Sequence, residues 1–167
     1  MAGHSNTKGN LGFLKGKYKK NMAAGEKLSG AEFEMKIDGY DNLTVLIRST
    51  QIPAIGRAEM EDFGPMGLKF VQQGPLENSG EISVTAVETI KGDVLKVIYD
   101  IVKNKKYVNL TIKPTPESLN GANPAGTGWR MEDCKLKSDA VDLATEDTTA
   151  LVKPPITITY NWKEPTA

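Results

Sequence analysis

The sequence predicts a mainly-β domain: an antiparallel β-sandwich or barrel with one packed α-helix at about residues 93–104 and an extended N-terminal arm at residues 1–30. Three observations predict it. Short runs of alternating apolar and polar residues recur between about residues 31 and 163, set off by Gly, Pro and Asn turns, the pattern of half-buried strands. One stretch alone carries a helical apolar stripe. Most links between successive runs are short, which suits antiparallel neighbours.

Taken in order, residues 32–37 alternate and place Phe33, Met35 and Ile37 on one face. Residues 38–42, Asp-Gly-Tyr-Asp-Asn, have turn chemistry. Residues 43–50 resume with Leu43, Val45 and Ile47 together, so the two runs read as a hairpin. Residues 51–80 form a long excursion with a short strand at 68–72, between the Gly-Pro breaks at 64–65 and 74–75. It carries Ile52, Ile55, Met60, Phe63, Met66, Leu68 and Phe70, too many for a solvated loop. They either contact another subunit or fold back on their own core. Residues 81–88 alternate again, with Ile82, Val84 and Ala86 inward.

The helix is marked by Val94, Val97, Ile98, Ile101 and Val102, one stripe at i, i+3, i+4, i+7 and i+8. Asp93 is placed to cap it, and Lys103, Lys105 and Lys106 complement the dipole at its end. Residues 107–113 turn Val108, Leu110 and Ile112 inward. Residues 114–128 are a Pro- and Gly-rich loop, and Gly126-Thr127-Gly128 precedes no helix, so it is no phosphate cradle. Two more strands close the domain. In 131–138, Cys134 and Leu136 align, and Cys134 reads as a small core residue. In 155–162, Ile156, Ile158, Tyr160 and Trp162 share one face, and Thr157, Thr159 and Asn161 the other. Residues 164–167 read as a tail.

The chain has 167 residues, enough for one domain with an appendage and too few for a TIM barrel. Lys+Arg and Asp+Glu are 21 each, so the basic excess of a dedicated nucleic-acid binder is missing and self-association meets little repulsion. The balance is uneven along the chain. Residues 1–30 carry Lys8, Lys15, Lys17, Lys19, Lys20 and Lys27 against Glu26, and neither a helical nor a strand period persists there. They read as a disordered tail, or as an arm that orders on a partner. Residues 131–150 hold Glu132, Asp133, Asp139, Asp142, Glu146 and Asp147 against Lys135 and Lys137. A basic arm and an acidic stretch in one chain suit head-to-tail contacts between copies; the other reading is two solvated regions that never meet.

Catalytic chemistry is not prominent. The one His, His4, sits in a Gly/Ser/Asn stretch, and one Cys permits no internal disulfide and no thiolate zinc cluster. No nucleophile elbow, Walker loop or metal-ligand spacing is present. Glu132 and Asp133, adjacent in a strand, should point to opposite faces. No cofactor is expected, and no enzyme. No apolar run is long enough to span a bilayer and no secretory pattern opens the chain, so cytoplasmic synthesis and no membrane binding are expected. Asn42-Leu43-Thr44 and Asn109-Leu110-Thr111 match a glycosylation pattern by chance on that reading.

The order of elements carries a resemblance. Residues 43–50 run into Gln51-Ile52-Pro53-Ala54-Ile55-Gly56-Arg57, followed by a Gly-Pro loop, a strand, an amphipathic helix and a closing β-hairpin. Residues 142–147, Asp-Leu-Ala-Thr-Glu-Asp, lead to the closing Ile156-Thr157-Ile158-Thr159-Tyr160. Over residues 31–163 this resembles the tail tube protein of contractile bacteriophages, a family shared with the inner tubes of tailocins and type VI secretion systems. The Lys-rich arm departs from its shortest members.

The resemblance implies six-membered rings stacked into a tube, in a virion tail assembled in the host cytoplasm. Its partners would be copies of itself, the tail sheath, baseplate and tail-terminator proteins and the tape measure protein, with DNA only as passing cargo and the helix facing the sheath. Subunit contacts would then fall to Phe13, Leu14 and Tyr18 of the arm and to Ile52, Ile55, Phe63 and Met66 of the excursion. A bore that passes DNA must not hold phosphate, which points to Thr157, Thr159 and Asn161, with Asp133 and Asp139 nearby, as lumen-facing. Lys135 and Lys137 share that alternation and count against the acids. A β-sandwich binding module of a tail fibre or baseplate is the competing class, and a small β-barrel enzyme without a recognisable motif is another.

Overall fold

Strands form where the alternation is cleanest. The structure, a computed structural model, describes residues 8–166, so His4 lies outside the described residues. The chain divides into two units, Met1–Ala31 and Glu32–Ala167.

In the second unit, nine strands and one α-helix follow one another: β1 (Phe33–Ile37), β2 (Ile47–Ser49), β3 (Arg57–Phe63), β4 (Lys69–Leu76), β5 (Gly80–Ala86), the helix α2 (Asp93–Lys103), β6 (Val108–Pro114), β7 (Trp129–Ser138), β8 (Pro155–Tyr160) and β9 (Trp162–Pro165). Six of the strands lie in the order β1-β6-β7-β8-β5-β2, and β9 also pairs with β7. Every pairing is antiparallel, and the sheet is a nearly closed barrel. The mainly-β fold with one packed helix is what the alternation and the single stripe predicted. The last strand runs through Pro165, and Thr166 N donates to Gly128 O at 2.8 Å, so the chain stays in the sheet beyond residue 163.

The inward faces meet in one core. Ile82 and Val84 of β5, Ile156, Ile158 and Tyr160 of β8, Leu136, Cys134 and Met131 of β7, Leu110 and Ile112 of β6 and Met35 and Ile37 of β1 are all buried in it. Val94, Ile98 and Ile101 bring α2 onto the same cluster. Burial of each large side chain contributes roughly 1.5–3 kcal/mol. Val102, expected in the helix stripe, is exposed instead, because the buried arc of α2 is narrower than the apolar one. Trp162 likewise leaves the face of Ile156, Ile158 and Tyr160 and is half exposed, since the strand is interrupted at Asn161.

The expected hairpin of residues 32–50 does not form. β1 pairs with β6 and β2 with β5, at opposite edges of the sheet. Between them, residues Asp41–Leu46 wind into a 3-10 turn. A three-residue period puts Leu43 and Leu46 on the same side; Leu43 is buried in the core and Leu46 packs against it, while Val45 is 76% exposed. A strand would have placed Val45 with Leu43.

α2 is capped differently from expectation. Asp93 is its first residue, not its cap. The Glu88 carboxylate reaches forward and accepts from Val94 N at 3.0 Å and Leu95 N at 2.8 Å, and Asp93 bonds the Thr89 hydroxyl at 2.8 Å. An acid over the free N–H groups satisfies donors and complements the dipole.

The first unit holds the main departure from an extended arm: residues Leu11–Ala23 are an α-helix, α1. Asn10 caps it, its side chain accepting from Phe13 N at 3.0 Å, and Gly25 follows it in the left-handed region at φ 86°. Gly12 and Gly16 blur the helical period in the sequence. No residue of α1 is buried.

The hairpin and 3-10 readings of residues 43–47 separate in stability measurements. Leu43→Ala should cost about 2–5 kcal/mol. Val45→Ala should stay within about 0.5 kcal/mol. Urea unfolding of the two variants checks both.

Candidate assembly surfaces

Among the described residues, no group of three or more His, Cys, Asp and Glu side chains is placed to hold a metal, and no helix is long and apolar enough to cross a membrane. Cys134 is fully buried, and desolvation, aided by the Asp133 charge, pushes its thiol up to about 12. A thiol held in its neutral form is a poor nucleophile. Several surfaces carry exposed large apolar side chains.

The most apolar of these is a β-hairpin. β3 and β4 pair only with each other, joined by a turn at residues 64–68. Gly67 takes φ 74° there, and Met66, at φ 62°, stands 97% exposed at the tip. β4 runs on through Gly74-Pro75, which the sequence marked as a break. A bulge between Arg57 and Glu59 of the register makes room for the proline. Gly74 is required at that bulge, since a Cβ would stand 2.9 Å from Ala58 O and from Met60 Cγ. β3 itself was missed. It lies within the stretch read as an excursion, although Ala58 and Met60 alternate there with Arg57, Glu59 and Glu61. Phe63, Leu68 and Phe70 are exposed with Met66, and Ile52 and Ile55 are exposed on the preceding segment. Within the single chain these side chains do not fold back on the core.

The outward face of β7, β8 and β5 is polar. Thr159 lies between Lys135 and Glu81, and Thr157 between Lys137 and Ser83. Thr157 and Thr159 are half-buried; Asp133, Asp139 and Asn161 are exposed. The structure brings Asp133 and Asn161 together at an irregularity in β7. Val108 pairs with Cys134 but Leu110 with Met131, so β7 carries one residue more than β6. Asp133 absorbs it with φ 51°. Its N–H donates to Asn109 Oδ1 at 3.0 Å, and its carbonyl accepts from Asn161 Nδ2 at 2.8 Å. The bulge also overturns the expectation that Glu132 and Asp133 point to opposite faces: neither enters the core, and the next buried residue after Met131 is Cys134.

On α1, Leu11, Leu14, Tyr18 and Met22 fall at i, i+3, i+7 and i+11, one narrow seam. Phe13 lies on the other side, with Lys17 Nζ 5.5 Å from its ring centroid. The outer side of α2 is also partly apolar, with Leu95, Tyr99 and Val102 exposed. At its end, Lys106 hydrogen bonds Asp100 at 2.7 Å, holding that carboxyl below the usual range and its own ammonium above it.

Neither a family model nor a curated protein matches the sequence. Solved structures do match. The tube-terminating cap of the anti-feeding prophage aligns with TM-score 0.64 at 16% identity, covering 85% of this chain and 93% of that one. A chain of the sheath–tube complex of an extracellular contractile injection system, PVC, in the extended state gives TM-score 0.64 at 17% identity, over 89% and 97%. The sheath/tube terminator of that system gives 0.68 at 14%, over 85% and 98%. This chain shares its fold with these chains of contractile injection systems, the class of assembly to which the order of elements pointed.

Burial of Cys134 has a direct readout. A thiol reagent in excess should leave the folded protein unlabelled and modify one thiol per chain once it is unfolded in denaturant, checked by intact mass.

Proposed function

We propose that this chain is a structural tube subunit of a contractile tail, assembling as hexameric rings that stack around a lumen through which DNA passes. The observation that carries this reading is the exposed apolar β3–β4 hairpin projecting from a nearly closed barrel whose fold is that of tube-associated chains. An isolated two-stranded hairpin is marginal in water, and a soluble monomer rarely shows so many large apolar side chains together. Burying three of Ile55, Phe63, Met66 and Phe70 against a neighbour contributes roughly 1.5–3 kcal/mol each. Stacked closed rings also cover the sheet edges β1 and β2, which otherwise offer unpaired backbone groups.

The polar face of β7, β8 and β5 is the bore. Lys135 and Lys137 there stand among Glu81, Asp133 and Asp139, a mixed lining in which Thr157, Thr159 and Asn161 add neutral contacts. Such a face gives passing phosphates no continuous row of cations. α2, with Leu95, Tyr99 and Val102 outward, faces the sheath. Baseplate, terminator and tape measure proteins complete the set of partners, within a virion tail assembled in the host cytoplasm.

A terminal-ring subunit is the second reading, favoured by the terminator structures among the matches. The two differ in whether purified rings stack without limit.

Negative-stain microscopy and sedimentation test the proposal. The native chain should give rings or tubes; a terminal-ring protein stops at single rings. Ile55→Asp combined with Phe63→Ser should abolish assembly while leaving the circular dichroism and unfolding midpoint of the monomer unchanged. Assembly that survives this pair of changes would remove the hairpin from the interface.

A further inference from the structure

Residues 139–152 leave the sheet between β7 and β8 and fold into an open cleft of about 320 Å³, with Asp142, Leu143, Ala144, Asp147, Leu151 and Val152 among its lining. Leu143 is 79% and Leu151 67% exposed. No Lys or Arg occurs from Ser138 to Val152, and among the described residues neither Asp142 nor Asp147 has an ion-pair partner. The cleft is therefore apolar within and uncompensated in charge at its rim. Its volume holds a few side chains, not a helix.

α1 has the converse chemistry. Its seam of Leu11, Leu14, Tyr18 and Met22 is exposed along its whole length, and Lys15 and Lys19 flank Leu14 and Tyr18 by one residue each. None of the α1 lysines is in a salt bridge among the described residues. A helix of 13 residues that contains two glycines is marginal in water without a surface to pack on. Nine residues, 24–32, separate α1 from β1, a tether that spans up to about 30 Å when extended.

We propose that the acidic-rimmed cleft receives the α1 seam of a second copy of this chain, with Leu14 and Tyr18 entering beside Leu143 and Leu151 and with Lys15 and Lys19 facing Asp142 and Asp147. The contact is heterologous, helix of one copy to cleft of the next, so it propagates along an assembly rather than closing a two-fold dimer. Apolar entry supplies most of the affinity, and the charge pairs set orientation and exclude other partners. It deepens the tube reading and rests on it for the neighbouring copy, but its readout is separate from tube formation.

Two full-length single-substitution chains, Leu14→Cys and Leu143→Cys, test it, since buried Cys134 does not compete. Mixed and oxidised, they should give a disulfide-linked heterodimer that neither chain gives alone. Adding Lys15→Glu and Lys19→Glu to the first chain should lower the yield about five- to tenfold, and adding Asp142→Lys and Asp147→Lys to the second should restore it. No cross-link under conditions where rings or tubes are seen would overturn the inference and leave the tube reading standing. In a third full-length chain that carries both substitutions, a cross-link forming solely within the monomer would overturn the second-copy assignment. A yield indifferent to charge reversal and its compensation would overturn the pairing of α1 with this cleft.

Discussion

The nearness of the two sheet edges is the constraint on which the rest of the structure depends. β1 and β2 are consecutive strands, yet they lie at the two ends of the six-strand path. In a flat sheet, five inter-strand spacings of about 4.8 Å would separate those ends by roughly 24 Å. The wound part of the link, residues Asp41–Leu46, advances only about 2 Å per residue. The sheet curls until its edges approach, and the wound link bridges the gap between them. Leu43 then lies in the core, and Val87 N reaches Leu46 O at 2.8 Å. Curling makes one enclosed core of the inward faces and leaves the outward faces to solvent or to neighbours.

Curling a sheet requires a place where its ladder yields. β7 is that place, because it pairs with β6 on one side and with both β8 and β9 on the other. Asp133 holds the extra residue in the left-handed region, and two asparagine side chains, from β6 and from the β8–β9 junction, take up the backbone groups that the ladder leaves there. Each replaces a backbone hydrogen bond that would otherwise be missing, an interaction of about 0.5–1.5 kcal/mol net. Arg130, near the start of the same strand, reaches Asp38 at 2.7 Å in the turn after β1 and links the strand to that edge.

With the core complete inside the curl, the large apolar residues outside it have no role in holding the subunit together. Many fall on β3–β4, on the segment before it, on α1 and on the outer side of α2, and Leu143 and Leu151 lie on the connection between β7 and β8. Monomeric soluble proteins rarely expose so many large apolar side chains together. Zero net formal charge removes long-range repulsion between copies. Among the described residues no buried side chain is polar or charged, and the ion pairs lie at the surface.

By itself the sequence determined what local periodicity can encode. The strands β1, β5, β6, β7 and β8 and their inward residues follow from a two-residue alternation, and α2 from its stripe, because burial on one face leaves that pattern wherever the partner lies. The surplus of apolar residues in 51–80 was equally visible, and with it a candidate contact surface. Only the tertiary structure decided which strands pair. The Leu43–Val45–Ile47 alternation fits a strand as well as the 3-10 turn that forms, and the choice rests on β1 and β2 pairing with β6 and β5, residues far along the chain. The α2 cap lies at Glu88 because a long carboxylate can fold over a helix start several residues ahead, where spacing suggested Asp93. The bulge at Asp133 depends on Asn109 and Asn161, which no local pattern connects. Even α1 was obscured by its glycines, since a four-residue seam among lysines is too narrow to register as a period until the backbone winds it into a line.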